Sequence, residues 1–355
     1  MFKRRAISVL CLVLIGAFVW SIKFWPKNSS TPAFLSQIGS SSPQPSPSSQ
    51  PETRFASLTV PFLRDRSYES QLGSLTEIGR TSTYTTYTTN YNSDGLSING
   101  LLTVPAGKIP EGGWPAVVFV HGYIPPTLYQ TTQRYVEYVD YLARNGLVVF
   151  KIDLRGHGES EGEATGAYYS SDYVIDVLSA RSALAGADFV NPAAIGLWGH
   201  SMSGNVVLRS MAAQPDISAA VIWAGAGFSY LDLQQYGLSD ASYRPPADAT
   251  ERQRRRRELF DAHGTFVPTS AYWQSVAPTS YLADLKGAIQ LHHAVDDLVV
   301  DVGYSRDLAA SLSASVVPHE YFEYQTGGHN LSGSSFSQAM RRTVTFFQTH
   351  LSGSE

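Results

Sequence analysis

The chain has 355 residues, a formal net charge of −4 and one cysteine, Cys11. That length accommodates one large α/β domain with an appendage, and the mild acidity argues against a nucleic-acid partner. A lone cysteine inside an apolar run leaves no disulfide framework, no zinc-knuckle spacing and no thiol nucleophile.

Lys3-Arg4-Arg5 precedes an uncharged run from Ala6 to Ile22, and Lys23-Phe24-Trp25-Pro26 follows it. A basic cluster before an apolar run is the pattern of a signal peptide or signal anchor. The run is longer than a typical cleavable segment, and no Ala-x-Ala site follows closely. Residues 1–26 are therefore expected to be an uncleaved membrane anchor. The basic end stays cytoplasmic and the remainder lies outside the cytoplasm. Secretion after cleavage is the alternative. Residues 27–53 are rich in Ser and Pro (Ser40-Ser41-Ser42-Pro43-Gln44-Pro45), a composition that buries no core and reads as a disordered tether.

Residues 54–355 read as one domain. Residues 55–105 carry strand-like material, with Thr81 to Tyr91 dense in Thr and Tyr and Gly95 to Pro105 alternating, as expected of antiparallel edge strands. Strand and helix then alternate: Ala116 to Val120, helix Thr131 to Arg144, Leu147 to Asp153, helix Asp172 to Leu184. The elbow strand Ala194 to Trp198, a helix Asn205 to Ala213 and the strand Ala219 to Ala224 continue the series. That order predicts a mostly parallel, doubly wound sheet. Residues 228–276 break it with an insertion expected to form a mostly helical cap, which carries Arg252-Gln253-Arg254-Arg255-Arg256-Arg257. The sheet resumes at Ala288 to His293, a helix spans Gly303 to Leu312, a last strand covers His319 to Tyr324, and a terminal helix runs from Ser334 to His350.

Ligands on such sheets bind beyond the carboxyl ends of the strands, and chemistry-bearing residues cluster there. Gly199-His200-Ser201-Met202-Ser203-Gly204 lies between a strand and a helix, the setting in which a G-x-S-x-G-like pattern makes a nucleophile elbow. Ser203 stands where a second Gly is usual. His121-Gly122-Tyr123 after the first parallel strand is placed to supply an oxyanion-hole N–H from Tyr123, with Met202 N–H as the other donor. Asp153 and Arg155 read as loop-fixing residues. His157 in the same loop, His200 beside the serine, and His292 and His293 at a strand end read as packing or supporting residues. The tandem Asp296-Asp297 follows the next strand, and His329 follows the last one, completing the order Ser, Asp, His. His329 would take the Ser201 proton, and the acid would hold the imidazole's tautomer. Position alone leaves Asp296 and Asp297 open. No G-x-G-x-x-G, P-loop or H-E-x-x-H pattern occurs, so no cofactor or metal is expected.

From residue 54 to 350 the chain resembles the prolyl oligopeptidase family of the α/β-hydrolases. Val118 to Tyr123, Asp153 to Ser160, Trp198 to Gly204, Ala277 to Tyr281, His292 to Val299 and Gly327-Gly328-His329 carry the resemblance. It implies an α/β-hydrolase fold, a serine peptidase or related acyl hydrolase acting on small peptides or esters, and the first Asp of the tandem, Asp296, as triad acid. Residues 54–115 are too few for the family's N-terminal propeller at about 40 residues per blade. Carboxylesterase action is therefore a competing expectation, and a non-catalytic binding protein on the same fold is a third.

Overall fold

The computed structural model describes residues 55–238 and 249–351. The expected anchor and the Ser/Pro tether lie outside them. Among the described residues no helix is long and apolar enough to cross a membrane.

The described chain opens on a 3-10 turn, Ala56–Leu58, and a short helix α1, Val60–Arg64, where strand had been expected. The cause is local. Thr59 Oγ1 accepts from Phe62 N–H at 3.3 Å, and Pro61 occupies the first turn, where a missing N–H leaves no bond unmade. Buried Arg209 fixes this segment to the domain by donating to Leu58 O at 2.7 Å, Ser171 Oγ at 2.8 Å and Ser170 O at 2.8 Å.

Nine strands form one sheet: β1 Thr76–Arg80, β2 Tyr84–Ser93, β3 Leu96–Pro105, β4 Trp114–Val120, β5 Val148–Ile152, β6 Val190–His200, β7 Ala219–Trp223, β8 Ala288–Ala294 and β9 His319–Tyr324. The spatial order is β1-β2-β3-β5-β4-β6-β7-β8-β9. β1, β2, β3 and β5 pair antiparallel, and β5 through β9 pair parallel. The β2–β3 hairpin closes through Asp94-Gly95 with φ of 53° and 80°, a two-residue turn whose twist matches the strands. The sheet expected from the alternating pattern, including its antiparallel N-terminal edge, is the sheet observed.

Both faces of the central parallel strands are covered, which is why β4 and β7 are apolar along their length. Val118 and Val120 of β4 share one core with Leu178 of helix α3 (Asp172–Ala185; helix α2, Val136–Arg144, lies on the opposite face). Val206 of α4 (Ser203–Ala213) joins that core. Val117 and Phe119 point the other way, into a second core with Leu142 of α2. Between β7 and β8 lie helices α5 Leu231–Gln235, α6 Ala249–His263 and α7 Ala271–Val276. Tyr230, Leu259 and Trp273 from this insertion gather with Leu58 in a small third core. Helix α8, Gly303–Ala314, and helix α9, Ser334–Leu351, complete the domain, with Phe347 of α9 in the second core.

Helix α2 begins at Val136, not at Thr131. Tyr135 sits in the left-handed region at φ 58°, which ends any continuous helix at that point. Its side chain is used elsewhere, in the loops described next. The chain passes from β4 to β5 on one side and then crosses to β6 on the other. The carboxyl ends of β4 and β6 therefore flank the switch point of the sheet, where a crevice opens.

Candidate active site

β6 ends at His200, and α4 begins at Ser203, so Ser201 occupies the turn between them at φ 58°. A serine in this region costs on the order of 1–3 kcal/mol and persists only where its surroundings dictate it. Ser201 N–H donates to Trp223 O at 2.9 Å, and Ser201 O accepts from Gly204 N–H at 2.9 Å and Ala226 N–H at 3.3 Å. Gly204 is required: a Cβ there would stand 2.7 Å from Gly225 Cα. Ser203, which replaces the usual second glycine, donates its hydroxyl to the carbonyl of His121 and so ties the elbow to the loop after β4.

That loop contains His121-Gly122-Tyr123. Gly122 N–H donates to Tyr135 Oη at 3.0 Å, Tyr135 Oη lies 2.8 Å from His200 Nδ1, and His200 Nε2 lies 2.9 Å from His329 O. A carbonyl only accepts, so Nε2 carries the hydrogen. His200 is neutral, because burial, reinforced by neighbouring His329, pushes it down to about 3. Its Nδ1 then accepts from the tyrosine hydroxyl, whose oxygen accepts from Gly122. One directional chain runs from the loop after β4, through the residue preceding Ser201, to the backbone of His329. A Cβ on Gly122 would stand 2.9 Å from Tyr135 Oη and 3.1 Å from His200 Nδ1, so glycine keeps the chain intact.

The acid position departs from expectation. Asp297, not Asp296, meets the histidine: Asp297 Oδ2 lies 2.8 Å from His329 Nδ1. Asp296 is exposed and accepts instead from Gly328 N–H at 2.8 Å and Gly327 N–H at 3.3 Å, supporting the turn that carries His329. Two consecutive side chains in a tight turn point in different directions, and here the second points inward. Asp297 Oδ1 accepts from Val299 N–H at 2.8 Å and Val300 N–H at 3.0 Å. Its Oδ2 also lies 3.2 Å from His293 Nε2. Burial alone would raise this carboxyl. Hydrogen bonds from His293 and His329, with the His329 charge and Val300 N–H, hold it well below the usual carboxylate range. His293 thus touches the acid directly, and its Nδ1 lies 2.7 Å from Ser305 Oγ.

Ser201 lies on the walls of two cavities. The larger, about 820 Å³, is lined by Gly122, Tyr123, Arg134, Glu137, Ser201 and His329 among others. The smaller, about 590 Å³, lies beneath the cap and is lined by Tyr123, Ser201, Met202 and a run of aromatic side chains. Met202 is the N-cap residue of α4, at the partially positive end of the helix. Ser201, Tyr123 and His329 therefore meet at one cavity, with Asp297 behind His329.

The other flagged residues stand behind the site. His157 is buried with its ring edge-on to His121 and Tyr129, and burial holds it at about 4. Asp153 accepts from Tyr129 Oη at 2.7 Å, and Arg155 pairs with buried Asp176 at 2.7 Å, fixing the loop after β5. His292 is buried, with Nδ1 2.9 Å from Tyr324 Oη. Among the described residues no group of three His, Cys, Asp or Glu side chains is placed to hold a metal ion.

A mostly parallel sheet with a left-handed serine after its sixth strand, and a histidine–carboxylate pair on the loops after its last two, is the arrangement of an α/β-hydrolase fold. Residues 115–240 match the Hydrolase_4 family, described as "Serine aminopeptidase, S33". The chain is 31% identical over 117 residues to the thiohydrolase aneE of Aspergillus aculeatus, covering 31% of this chain and 32% of that protein. It spans about a third of the length of the curated relatives it matches. Among solved structures, an acetyl xylan esterase from Paenibacillus sp. R4 superposes with a TM-score of 0.59 at 17% identity, over 81% of this chain and 91% of that one. A puromycin-hydrolyzing peptidase of Mycobacterium tuberculosis gives 0.58 at 20% identity, over 77% and 40%. Both likenesses concern the fold.

Proposed function

We propose that this chain hydrolyses small peptide or amide bonds through an acyl-enzyme on Ser201. The observation that carries the reading is the 2.8 Å bond between Asp297 and His329 Nδ1, with His329 and the left-handed Ser201 on the same cavity wall. The Nδ1 hydrogen on Asp297 leaves Nε2 as the basic nitrogen. His329 Nε2 takes the Ser201 Oγ proton as Oγ bonds to the carbonyl carbon. The carbonyl electron pair moves to oxygen, which meets Tyr123 N–H and Met202 N–H. The imidazolium, stabilised by Asp297, then gives its proton to the leaving nitrogen as the C–N bond breaks. Water repeats the cycle on the acyl-enzyme and releases the acid.

Ester hydrolysis by the same groups is the second reading. Its support is that the neighbours of this fold include an acetyl xylan esterase as well as a peptidase. Short-chain aryl esters, aminoacyl arylamides and Xaa-Pro arylamides, offered side by side with Ser201→Ala as control, separate the two. Arylamide turnover lost in the variant supports the peptidase, and ester turnover alone supports the esterase. No turnover together with a Ser201 inert to fluorophosphonate would overturn both in favour of a binding protein.

We also propose that the apolar run of residues 6–22 anchors the chain in a membrane with the hydrolase domain outside the cytoplasm; the support is the flanking basic cluster. Full-length chain should stay with membranes through an alkaline carbonate wash, and its release would sink the anchor.

A further inference from the structure

The two cavities at Ser201 are not equivalent. His329 lines only the larger one, and Met202 lines only the smaller. The histidine must protonate the leaving atom, so the leaving group departs on the His329 side. The acyl carbon's remaining substituent then points the other way, into the 590 Å³ space beneath the cap. The lining of that space restricts what enters. Tyr168, Tyr169, Tyr230, Phe260 and Phe266 surround it, and Arg256 is the only charged side chain among the described residues that line it. The Arg256 side chain is exposed, and its guanidinium lies 5.1 Å from the centre of the Phe260 ring. A ring entering this space gains aromatic contacts, and a negative end gains a bidentate cationic partner. An ammonium group would face that same cation.

We infer that the cap cavity is the acyl site, and that it selects an aromatic acyl group ending in a carboxylate over an acyl group bearing a free amine. This rests on the acyl-enzyme reading above. It narrows the substrate away from peptides with an unblocked amino-terminal residue on the scissile side.

The test uses three 4-nitrophenyl esters of the full-length protein's candidate acyl groups: 3-phenylpropanoyl, 3-(4-carboxyphenyl)propanoyl and L-phenylalanyl. Expected is a kcat/KM for the carboxylated ester at least about tenfold above the phenylalanyl ester, the scale of one charge-assisted hydrogen bond. Arg256→Met should shrink the ratio of carboxylated to plain phenylpropanoyl ester toward one. Because the acyl group stays behind after the first step, deacylation rates in a burst experiment should follow the acyl group and be the same for the 4-nitrophenyl ester and a fourth substrate, the 4-methylumbelliferyl ester of 3-phenylpropanoate, which differ only in leaving alcohol. Equal rates for all three acyl groups, or a phenylalanyl preference, would overturn the assignment. So would an Arg256→Met effect that follows the leaving alcohol. If no ester turns over and Ser201 resists fluorophosphonate, the hydrolase reading itself has failed. Turnover lost in Ser201→Ala but indifferent to the acyl group defeats only the present inference.

Discussion

His200 Nε2 stands 2.9 Å from the main-chain oxygen of His329, so the residue before Ser201 holds the peptide of the proposed base. Tyr135 continues that link to Gly122. Neither side chain takes a proton in the proposed reaction; both position groups that do. Tyr135→Phe should lower kcat by roughly ten- to a hundredfold, the scale of an ångström-level misplacement, with KM little changed. His200→Gln keeps an N–H donor and an acceptor on one planar group. It should retain more activity than His200→Phe, and equal losses in the two variants would reduce His200 to packing.

The tandem carboxylates make opposite predictions. Asp297→Asn should cost on the order of 10⁴ in kcat, because an amide in that position favours the wrong imidazole tautomer. Asp296→Asn retains an oxygen for the exposed bond from Gly328 N–H and should cost less than about tenfold. A larger loss at Asp296 than at Asp297, measured on whichever substrate turns over, would reverse the assignment.

Ser203 offers a stability test away from the proton transfers. Ser203→Ala removes the hydroxyl bonded to the His121 carbonyl and leaves that buried oxygen without this donor. The expected loss is about 1–3 kcal/mol in denaturant unfolding. An unchanged midpoint would show that the elbow and the loop after β4 are held together by other contacts.

The buried imidazoles set a pH dependence. Burial pushes His121 down to about 3, His157 to about 4 and His200 to about 3, and holds His292 well below its ordinary value. Unfolded, each titrates near 6.5. Between pH 6.5 and about 4 the unfolded chain therefore binds protons that the native chain refuses, and stability falls as pH falls. Each ring contributes up to about 1.4 kcal/mol per pH unit in that window. Tm should drop clearly from pH 7 to pH 5. A flat or rising Tm over that interval would mean that these rings accept protons in the folded state.

Much of this arrangement is legible in the sequence because it rests on pattern. Continuous apolar runs such as Ala116 to Val120 announce strands buried on both faces, and the order Ser201, Asp, His329 follows from which loop succeeds which strand. What escapes is direction within a turn. Asp296 and Asp297 are chemically identical neighbours, and only the backbone path after Ala294 decides which faces His329. One signal was available: Asp297 falls four residues after His293, the strand-end histidine it contacts. The start of α2 escapes for a related reason. Thr131 to Tyr135 has helix-compatible composition, but the Tyr135 hydroxyl is taken by Gly122 and His200, partners distant in sequence. At the amino end, Thr59-Val60-Pro61 carries the start signal for α1, an N-cap hydroxyl with Pro in the first turn, inside a stretch that reads as strand.

The ties made by Ser203, Tyr135 and His200 join the Ser201 turn, the loop after β4 and the His329 turn into a single braced frame. Thermal fluctuations of these three segments should consequently be small and synchronous. A ligand entering beneath the insertion should therefore displace the helices between β7 and β8 before it displaces this frame.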